Sequence, residues 1–211
     1  MPILEPMTVL TDYILAALGL ILGLRLWRGT TAWGSSRRLW AASLLAMAVA
    51  ALAGGTAHGF ADRAGAAGHW VLWRITVWAI GVASLSLAAA AARFALSKRA
   101  ARTVCALFGL QFAIYAVWML WHDSFAYVLL EYLPAMVFVL AVASWQWSRR
   151  GWPGGPWVVA GILVSFLAAG IQASGLTLHR HFNHNDLYHV VQMVGVYLLY
   201  RGGALLSRAE G

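Results

Sequence analysis

The sequence has few charged residues and almost no cysteine, and both shortages exclude common classes of protein. Only 10% of the 211 residues are charged, whereas 62% are hydrophobic. Soluble domains carry about 25% charged residues, so this chain lacks the polar side chains that would cover a globular surface in water. We therefore expect lipid to be its main solvent. The single cysteine, Cys105, excludes a disulfide within the chain and a cysteine-based zinc site.

The formal net charge is nevertheless +8. In a soluble protein this value would suggest nucleic acid as a partner. Here the arginines fall between apolar segments, so a membrane location explains them and no nucleic-acid partner is expected. The first five residues, Met1 to Glu5, lack a basic region, which favours a retained first helix over a cleaved signal peptide.

Seven apolar segments are long enough to cross a bilayer, which takes about 20 residues. Each should be a helix, because backbone groups in hydrocarbon must satisfy their own hydrogen bonds. The connections are short, so residues 1–211 should form one all-α, seven-helix membrane domain with antiparallel neighbours. The expected spans lie near Thr8–Trp27, Leu39–Phe60, His69–Leu96, Thr103–Trp121, Phe125–Trp147, Trp157–Leu178 and Leu187–Leu206.

The basic residues predict the orientation of these helices. Twelve fall on the side of the C-terminus and three on the side of the N-terminus. The N-terminus should therefore be outside and the C-terminus cytoplasmic, in a bacterial inner membrane. The twelve are Arg25, Arg28, Arg37, Arg38, Arg93, Lys98, Arg99, Arg102, Arg149, Arg150, Arg201 and Arg208, and the three are Arg63, Arg74 and Arg180.

All seven histidines fall in the outer half of this topology, which the charge rule does not explain because histidine is largely neutral at pH 7. Six of the seven acidic residues share that half. The outer face therefore carries the groups that perform acid–base and metal chemistry. The histidines are His58, His69, His122, His179, His181, His184 and His189.

The stretch His179 to Gln192 holds four of these histidines and opens the last apolar segment. Asn185 and His189 are four residues apart, so they share a helix face, and Gln192 lies on that face too. His184 can join a site with His189 only if it precedes the helix.

Neutral imidazole is a common zinc ligand, and catalytic zinc takes three protein ligands and a water. His58 at the end of helix two, where small residues allow close approach, His69 at the start of helix three and His189 on helix seven could supply three ligands. The alternative is that these histidines only cap helix ends or lie at the membrane interface.

Glu131 lies about six residues into helix five, or roughly 9 Å along it. A carboxylate at that depth costs about 2.5–3.5 kcal/mol, so it should have a partner. It could serve as a general acid or base, a metal ligand or a proton relay. It could equally make a structural hydrogen bond to Gln111, Gln172 or a tyrosine.

The pattern of helices and motifs resembles the alkaline ceramidase and adiponectin-receptor hydrolase superfamily. In that superfamily helix two carries Ser-x-x-x-His, helix three begins with aspartate and helix seven carries His-x-x-x-His. The resemblance implies zinc held by three histidines, whose bound water attacks a lipid amide. The motifs Gly-Gly-Thr-x-His-Gly-Phe and Phe-Asn-His-Asn-Asp-Leu-Tyr-His are also similar to those of an uncharacterised family of small bacterial membrane proteins.

By this resemblance His58 matches the histidine of helix two, and His189 matches the second histidine of helix seven. The other positions depart from the motif: Gly54 stands at the serine, Asn185 at the first histidine of helix seven and His69 near the aspartate. A third ligand must then come from His69 or His184.

We therefore expect a zinc-dependent membrane hydrolase that acts on an amide or ester of a membrane lipid at the outer face. The expected metal ligands are His58, His69 and His189, with His184 as substitute or fourth ligand. Asp186 or Glu131 would be the general base, and Asn185 would orient the carbonyl. The alternative is a non-enzymatic protein that binds lipid, haem or a partner subunit through the histidines.

Overall fold

The computed structural model describes residues 3–29, 35–179 and 182–206. Within these ranges the chain is almost entirely helical, which confirms the expected all-α fold with seven helices. Three residues used in the sequence argument, Arg180, His181 and Arg208, lie outside the described residues. The helices are α1 (Pro6–Arg28), α2 (Ser36–Phe60), α3 (Asp62–Ala95), α4 (Lys98–Trp118), α5 (Phe125–Arg150), α6 (Gly155–Ser174) and α7 (His184–Ala204).

No loop separates α2 from α3, which differs from the expected connection. The backbone stays helical from Ser36 to Ala95 apart from Phe60 (φ −130°, ψ 17°) and Gly65 (φ 66°, ψ 176°). Glycine is needed at the second position, because a side chain is strained at that positive φ. As a result the range of α3 begins at Asp62 without a loop, and His69 lies four residues after the non-helical Gly65.

Six helices, α1 to α6, are long and apolar enough to cross a membrane. The chain is therefore an integral membrane protein with several candidate spans. Among the described residues, helix α7 is not apolar enough to be a candidate span, because Asp186, His189 and Gln192 lie along it. These polar residues are buried, and α7 packs mainly against α6 and α1.

Helices that are consecutive in the sequence run antiparallel, and the two ends of the bundle differ in their chemistry. The backbone N–H of Leu4, before α1, donates to the carbonyl of Gly59 in the last turn of α2. At the opposite end Trp40 Nε1 donates to the carbonyl of Leu199, at 3.0 Å. We call the first the histidine end and the second the basic end.

Helix α4 is the least covered of the seven. It packs chiefly on α3, where Tyr115 donates a hydrogen bond of 3.0 Å to the carbonyl of Val77. Its outer face carries large exposed apolar side chains such as Leu107, Leu110 and Ile114. The other six helices share one apolar core and surround the cavity described next.

Candidate functional site

A cavity of about 230 Å³ lies inside the bundle, between every helix except α4. Toward the histidine end its wall carries acidic, imidazole and amide side chains. Away from that end it is lined mainly by apolar residues such as Leu87, Met136 and Leu199. The polar lining consists of Asp12, Ser43, His58, Thr76, Ser84, Ser165, Gln172, Asn185, Tyr188, His189 and Gln192, with Trp73 and Tyr132 as amphipathic neighbours.

His189 on α7 is held by two side chains of α1. Its Nε2 lies 3.1 Å from Asp12 Oδ1, and its Nδ1 lies 3.0 Å from Thr11 Oγ1. Both partners of the first contact are buried, with 7% of His189 and 4% of Asp12 exposed. A carboxyl and an imidazole removed from water in this way must be paired with each other.

The hydrogens of this cluster can be counted. The Thr11 hydroxyl has one hydrogen, for which the carbonyls of Met7 and Thr8 and His189 Nδ1 compete. If Thr11 donates to Nδ1, the hydrogen on Nε2 points to the Asp12 carboxylate. If Thr11 donates to a carbonyl, His189 Nδ1 carries a hydrogen and donates it to the Thr11 oxygen. A second hydrogen then lies between Asp12 Oδ1 and His189 Nε2, either on a protonated Asp12 or on an imidazolium. Every arrangement places one proton between Asp12 and His189.

Asp12 also faces α2, where glycine leaves room for it. A Cβ at Gly55 would lie 2.7 Å from the Asp12 Cβ, and one at Gly54 would lie 3.9 Å from Asp12 Oδ2. The small residues before His58 therefore admit α1, as their size suggested. Oδ2, the oxygen not paired with His189, lies next to Gly54, which lines the cavity together with Asp12.

His58 lines the cavity beside this pair and is half-buried. Its Nδ1 lies 3.5 Å from Glu5 Oε2, at the start of α1. Of the four histidines expected to hold metal, His58 and His189 line the cavity. His69 is exposed on α3 and His184 is the half-buried first residue of α7, and neither is part of the lining.

His69 follows His58 by eleven residues, lies beyond the non-helical Phe60 and Gly65, and has an exposed side chain. In residues 3–29, 35–179 and 182–206, no three histidine, cysteine or acidic side chains are positioned to hold one metal ion. The side chains as placed do not fit the expected ligand set, since both nitrogens of His189 face Asp12 and Thr11.

Asp186, one of the two expected general bases, is buried and serves the backbone. Its Oδ2 accepts from the N–H of Asn183 at 2.7 Å, which completes a capping box at the start of α7. Its Oδ1 accepts from the Thr8 hydroxyl at 2.9 Å. These bonds tie α7 to α1, and Asp186 does not line the cavity.

Glu131, the other expected base, is also buried behind the cavity wall. Both of its carboxyl oxygens lie 2.9 Å from Ser84 Oγ, and Ser84 does line the cavity. Gln111, one of the partners expected from the sequence, donates instead to the backbone carbonyl of Glu131. Glu131 therefore contacts the cavity only through Ser84.

Asn185, His189 and Gln192 all line the cavity from α7, as their spacing on one helix face predicts. Gln172 Nε2 donates to Asn185 Oδ1 at 2.8 Å, and Gln192 Nε2 donates to Ser165 Oγ at 3.2 Å. Gln172 Oε1 is buried and accepts no hydrogen bond from the described residues. The Gln172–Asn185 pair thus offers hydrogen-bonding capacity to a molecule in the cavity.

The sequence argument missed the contribution of α1. Asp12 is a carboxylate inside an apolar segment, the same anomaly that drew attention to Glu131. Thr8 lies one turn before Asp12 on the same helix face, and Thr11 is the residue directly before Asp12. That α1 packs on α7, at the other end of the chain, is a long-range contact that no local pattern encodes.

Comparison with known proteins gives a family for this chain. Residues 7–208 match the model of a family described as a family of unknown function, DUF6962. No curated protein and no solved structure matches the chain.

Proposed function

The chain belongs to the DUF6962 family, and from the geometry of its cavity we propose that it is a lipid hydrolase of the bacterial inner membrane. Its substrate is an amphiphile with an amide or ester bond next to an acyl chain. The single observation that supports this proposal is that one cavity joins an acid–base pair to an apolar interior.

The shape of the substrate follows from the two halves of the cavity. Leu87, Met136 and Leu199 suit an acyl chain, whose burial contributes about 0.8 kcal/mol per CH₂ group. Asp12, His189 and Asn185 suit the polar linkage at the head of that chain. A membrane lipid carries these two parts in this order, and it reaches a cavity inside a membrane bundle without leaving the bilayer.

In the proposed reaction Asp12 is the general base, because it lines the cavity and only its Oδ1 is held by His189. A water molecule attacks the carbonyl carbon and gives its proton to Asp12. His189, oriented by Thr11, stabilises the carboxylate beforehand and shares the proton afterwards. General bases of this kind typically contribute about 10²–10⁴ to the rate.

The remaining polar groups serve the carbonyl and the leaving group. The Asn185 amide, fixed by Gln172, donates to the carbonyl oxygen as negative charge develops on it. The carbon–nitrogen or carbon–oxygen bond then breaks, and the leaving amine or alcohol takes a proton from His58, which regains a proton from Asp12. The products are a carboxylic acid and an amine or alcohol, so that atoms and protons balance.

Zinc enters this proposal only as an outcome of the test. His58, His189 and Asp12 are the cavity side chains that could bind it, but a metal on His189 must displace Asp12 or Thr11 from a ring nitrogen. The proposed reaction therefore uses only the side chains of the protein. Stoichiometric zinc in purified protein, lost on replacement of His58 and His189, would assign the water to the metal instead of Asp12.

The experiment is to reconstitute the protein in nanodiscs with a panel of amide-linked and ester-linked lipids and to measure released fatty acid by mass spectrometry. Asp12→Asn should lower the rate at least about 100-fold. Asp62→Asn removes the same charge from an exposed position outside the cavity and should not change the rate. No product from any lipid, or equal rates for wild type and Asp12→Asn, would remove the hydrolase proposal.

A second candidate is a non-enzymatic protein that holds an amphiphile in the same cavity. It is favoured by His189, whose two ring nitrogens both contact protein groups rather than open space. Lipid that co-purifies unchanged, and that survives incubation without product, would support this function over hydrolysis.

A further inference from the structure

A second cavity lies at the basic end, opposite the candidate site. It has a volume of about 570 Å³ and is formed where α3 ends and α4 begins. Its lining consists of Arg93, Leu96, Lys98, Ala101, Arg102 and Cys105. Three of these six side chains are cationic.

The α4 part of the lining is a single helix face. This face begins with Lys98 and continues three, four and seven residues later with Ala101, Arg102 and Cys105. The two cations lie in the first turns of α4, and Cys105 lies roughly 10 Å further along the helix. The lining of the cavity thus combines three cationic side chains with the uncharged Leu96, Ala101 and Cys105.

No carboxylate of the described part of the chain can neutralise these cations. Every acidic residue in residues 3–29, 35–179 and 182–206 lies in the half of the bundle toward the histidine end, namely Glu5, Asp12, Asp62, Asp123, Glu131 and Asp186. Other arginines at the basic end lie over aromatic rings, as Arg38 does over Trp27 and Arg201 over Trp157. Like charges brought together without a counterion repel each other.

The start of α4 adds a further attraction for an anion. The first N–H groups of a helix have no partner within it, and the helix dipole places positive charge there. Ser97 caps only one of these groups, the N–H of Ala100. Phosphate groups bind where helix starts and basic side chains combine in this way.

We propose that this cavity binds a phosphate group through Arg93, Lys98 and Arg102. Leu96, Ala101 and Cys105, which line the same cavity, contact what is attached to the phosphate. A phospholipid of the surrounding leaflet supplies both parts, and α4 is the least buried of the six candidate spans. A free phosphate compound shares the same recognition chemistry.

The chain contains its own reporter for this proposal, because its only cysteine, Cys105, lines the cavity and is partly exposed. The protein is purified in a sugar detergent that contains no phosphate, and the rate of Cys105 alkylation by a maleimide is measured. Phosphatidylglycerol, diacylglycerol and inorganic phosphate are then added separately. We expect phosphatidylglycerol to slow alkylation at least tenfold and diacylglycerol to have little effect.

The variant R93Q/K98Q/R102Q should lose this protection, since each cation near a lipid surface changes anionic-lipid binding by about fivefold. The matched control R28Q/R149Q/R150Q removes three exposed charges from the same end but none from the cavity, and should keep it. If the triple variant does not fold, Arg102→Gln alone and the salt dependence of wild-type protection make the same test.

Inorganic phosphate that protects Cys105 as well as the lipid does would assign a soluble phosphate compound as the ligand. Equal protection by diacylglycerol, equal loss in both triple variants, or no protection by any phosphate compound would overturn the proposal.

Discussion

At the scale of single residues, each buried carboxyl group of the described bundle has only one or two partners. Asp12 has His189, Asp186 has Thr8 and the backbone of Asn183, and Glu131 has Ser84. The contacts with His189, Thr8 and Ser84 each join two different helices. Because apolar surroundings strengthen such bonds and penalise their loss, these residues contribute to the assembly of the bundle as well as to its site.

Replacement of Ser84 by alanine should leave the Glu131 side chain without its donor. A buried polar group that loses its partner costs about 1–3 kcal/mol, so the melting temperature in detergent should fall measurably. The double variant Ser84→Ala with Glu131→Leu removes both partners and should recover part of this loss. Ser148→Ala, at an exposed position on α5, is the control. An equal fall in melting temperature for this variant would contradict a stabilising role of the Ser84–Glu131 bond.

At the scale of elements, α1 and α2 approach closely because glycines face the partner helix. Cβ atoms added at Gly19, Gly23 and Gly55 would lie 3.2, 2.8 and 2.7 Å from atoms of the neighbouring helix. The last of these contacts is with Asp12 itself. The distance between α1 and α2 therefore sets the position of the acid–base pair.

Gly55→Ala should push α1 away from α2, lower the melting temperature and reduce lipid turnover together. Alanine is otherwise favoured over glycine in a helix by about 1 kcal/mol. The same change at Gly109 on α4, where no atom lies within 4 Å of the added Cβ, should leave the melting temperature unchanged or raise it. Equal melting temperatures for the two variants would contradict the close α1–α2 contact.

His69 provides a test of the kink between α2 and α3. The structure places it on the exposed side of α3, so His69→Gln should leave lipid binding, turnover and metal content at wild-type levels. His189→Gln, which breaks the contacts with Asp12 and Thr11, should abolish turnover. Loss of bound zinc in His69→Gln would instead support the ligand set expected from the sequence, in which His69 holds the metal.

These elements also show what the sequence could predict. The seven helices follow from apolar length, and the shared face of Asn185, His189 and Gln192 follows from helical spacing. The kinked helical connection at Phe60 and Gly65 could not be predicted, because a Gly-rich polar stretch between two apolar segments ordinarily indicates a loop. The position of His69 depended on that connection, and the packing of α1 on α7 depended on contacts between opposite ends of the chain.

At the scale of the whole molecule, the bundle separates two chemistries. Acidic and imidazole groups lie at the histidine end and open into the central cavity, while arginines and the second cavity occupy the basic end. Helix α7 is too polar to meet the criterion for a span by composition, yet its polar residues are buried against α1 and α6. The polar face of α7 is thus turned toward the bundle, whereas apolar side chains such as Val190 and Val194 are exposed on its other side.

The measurement that tests the account most directly is native mass spectrometry of the lipid retained by the purified protein. Wild type should retain one acyl-chain amphiphile, which Ala83→Leu, a change on the cavity wall, should expel. Ala106→Leu, on the exposed face of α4, should retain it. Retention of the same lipid by Ala83→Leu, with its melting temperature unchanged, would contradict the assignment of the central cavity as the lipid-binding site.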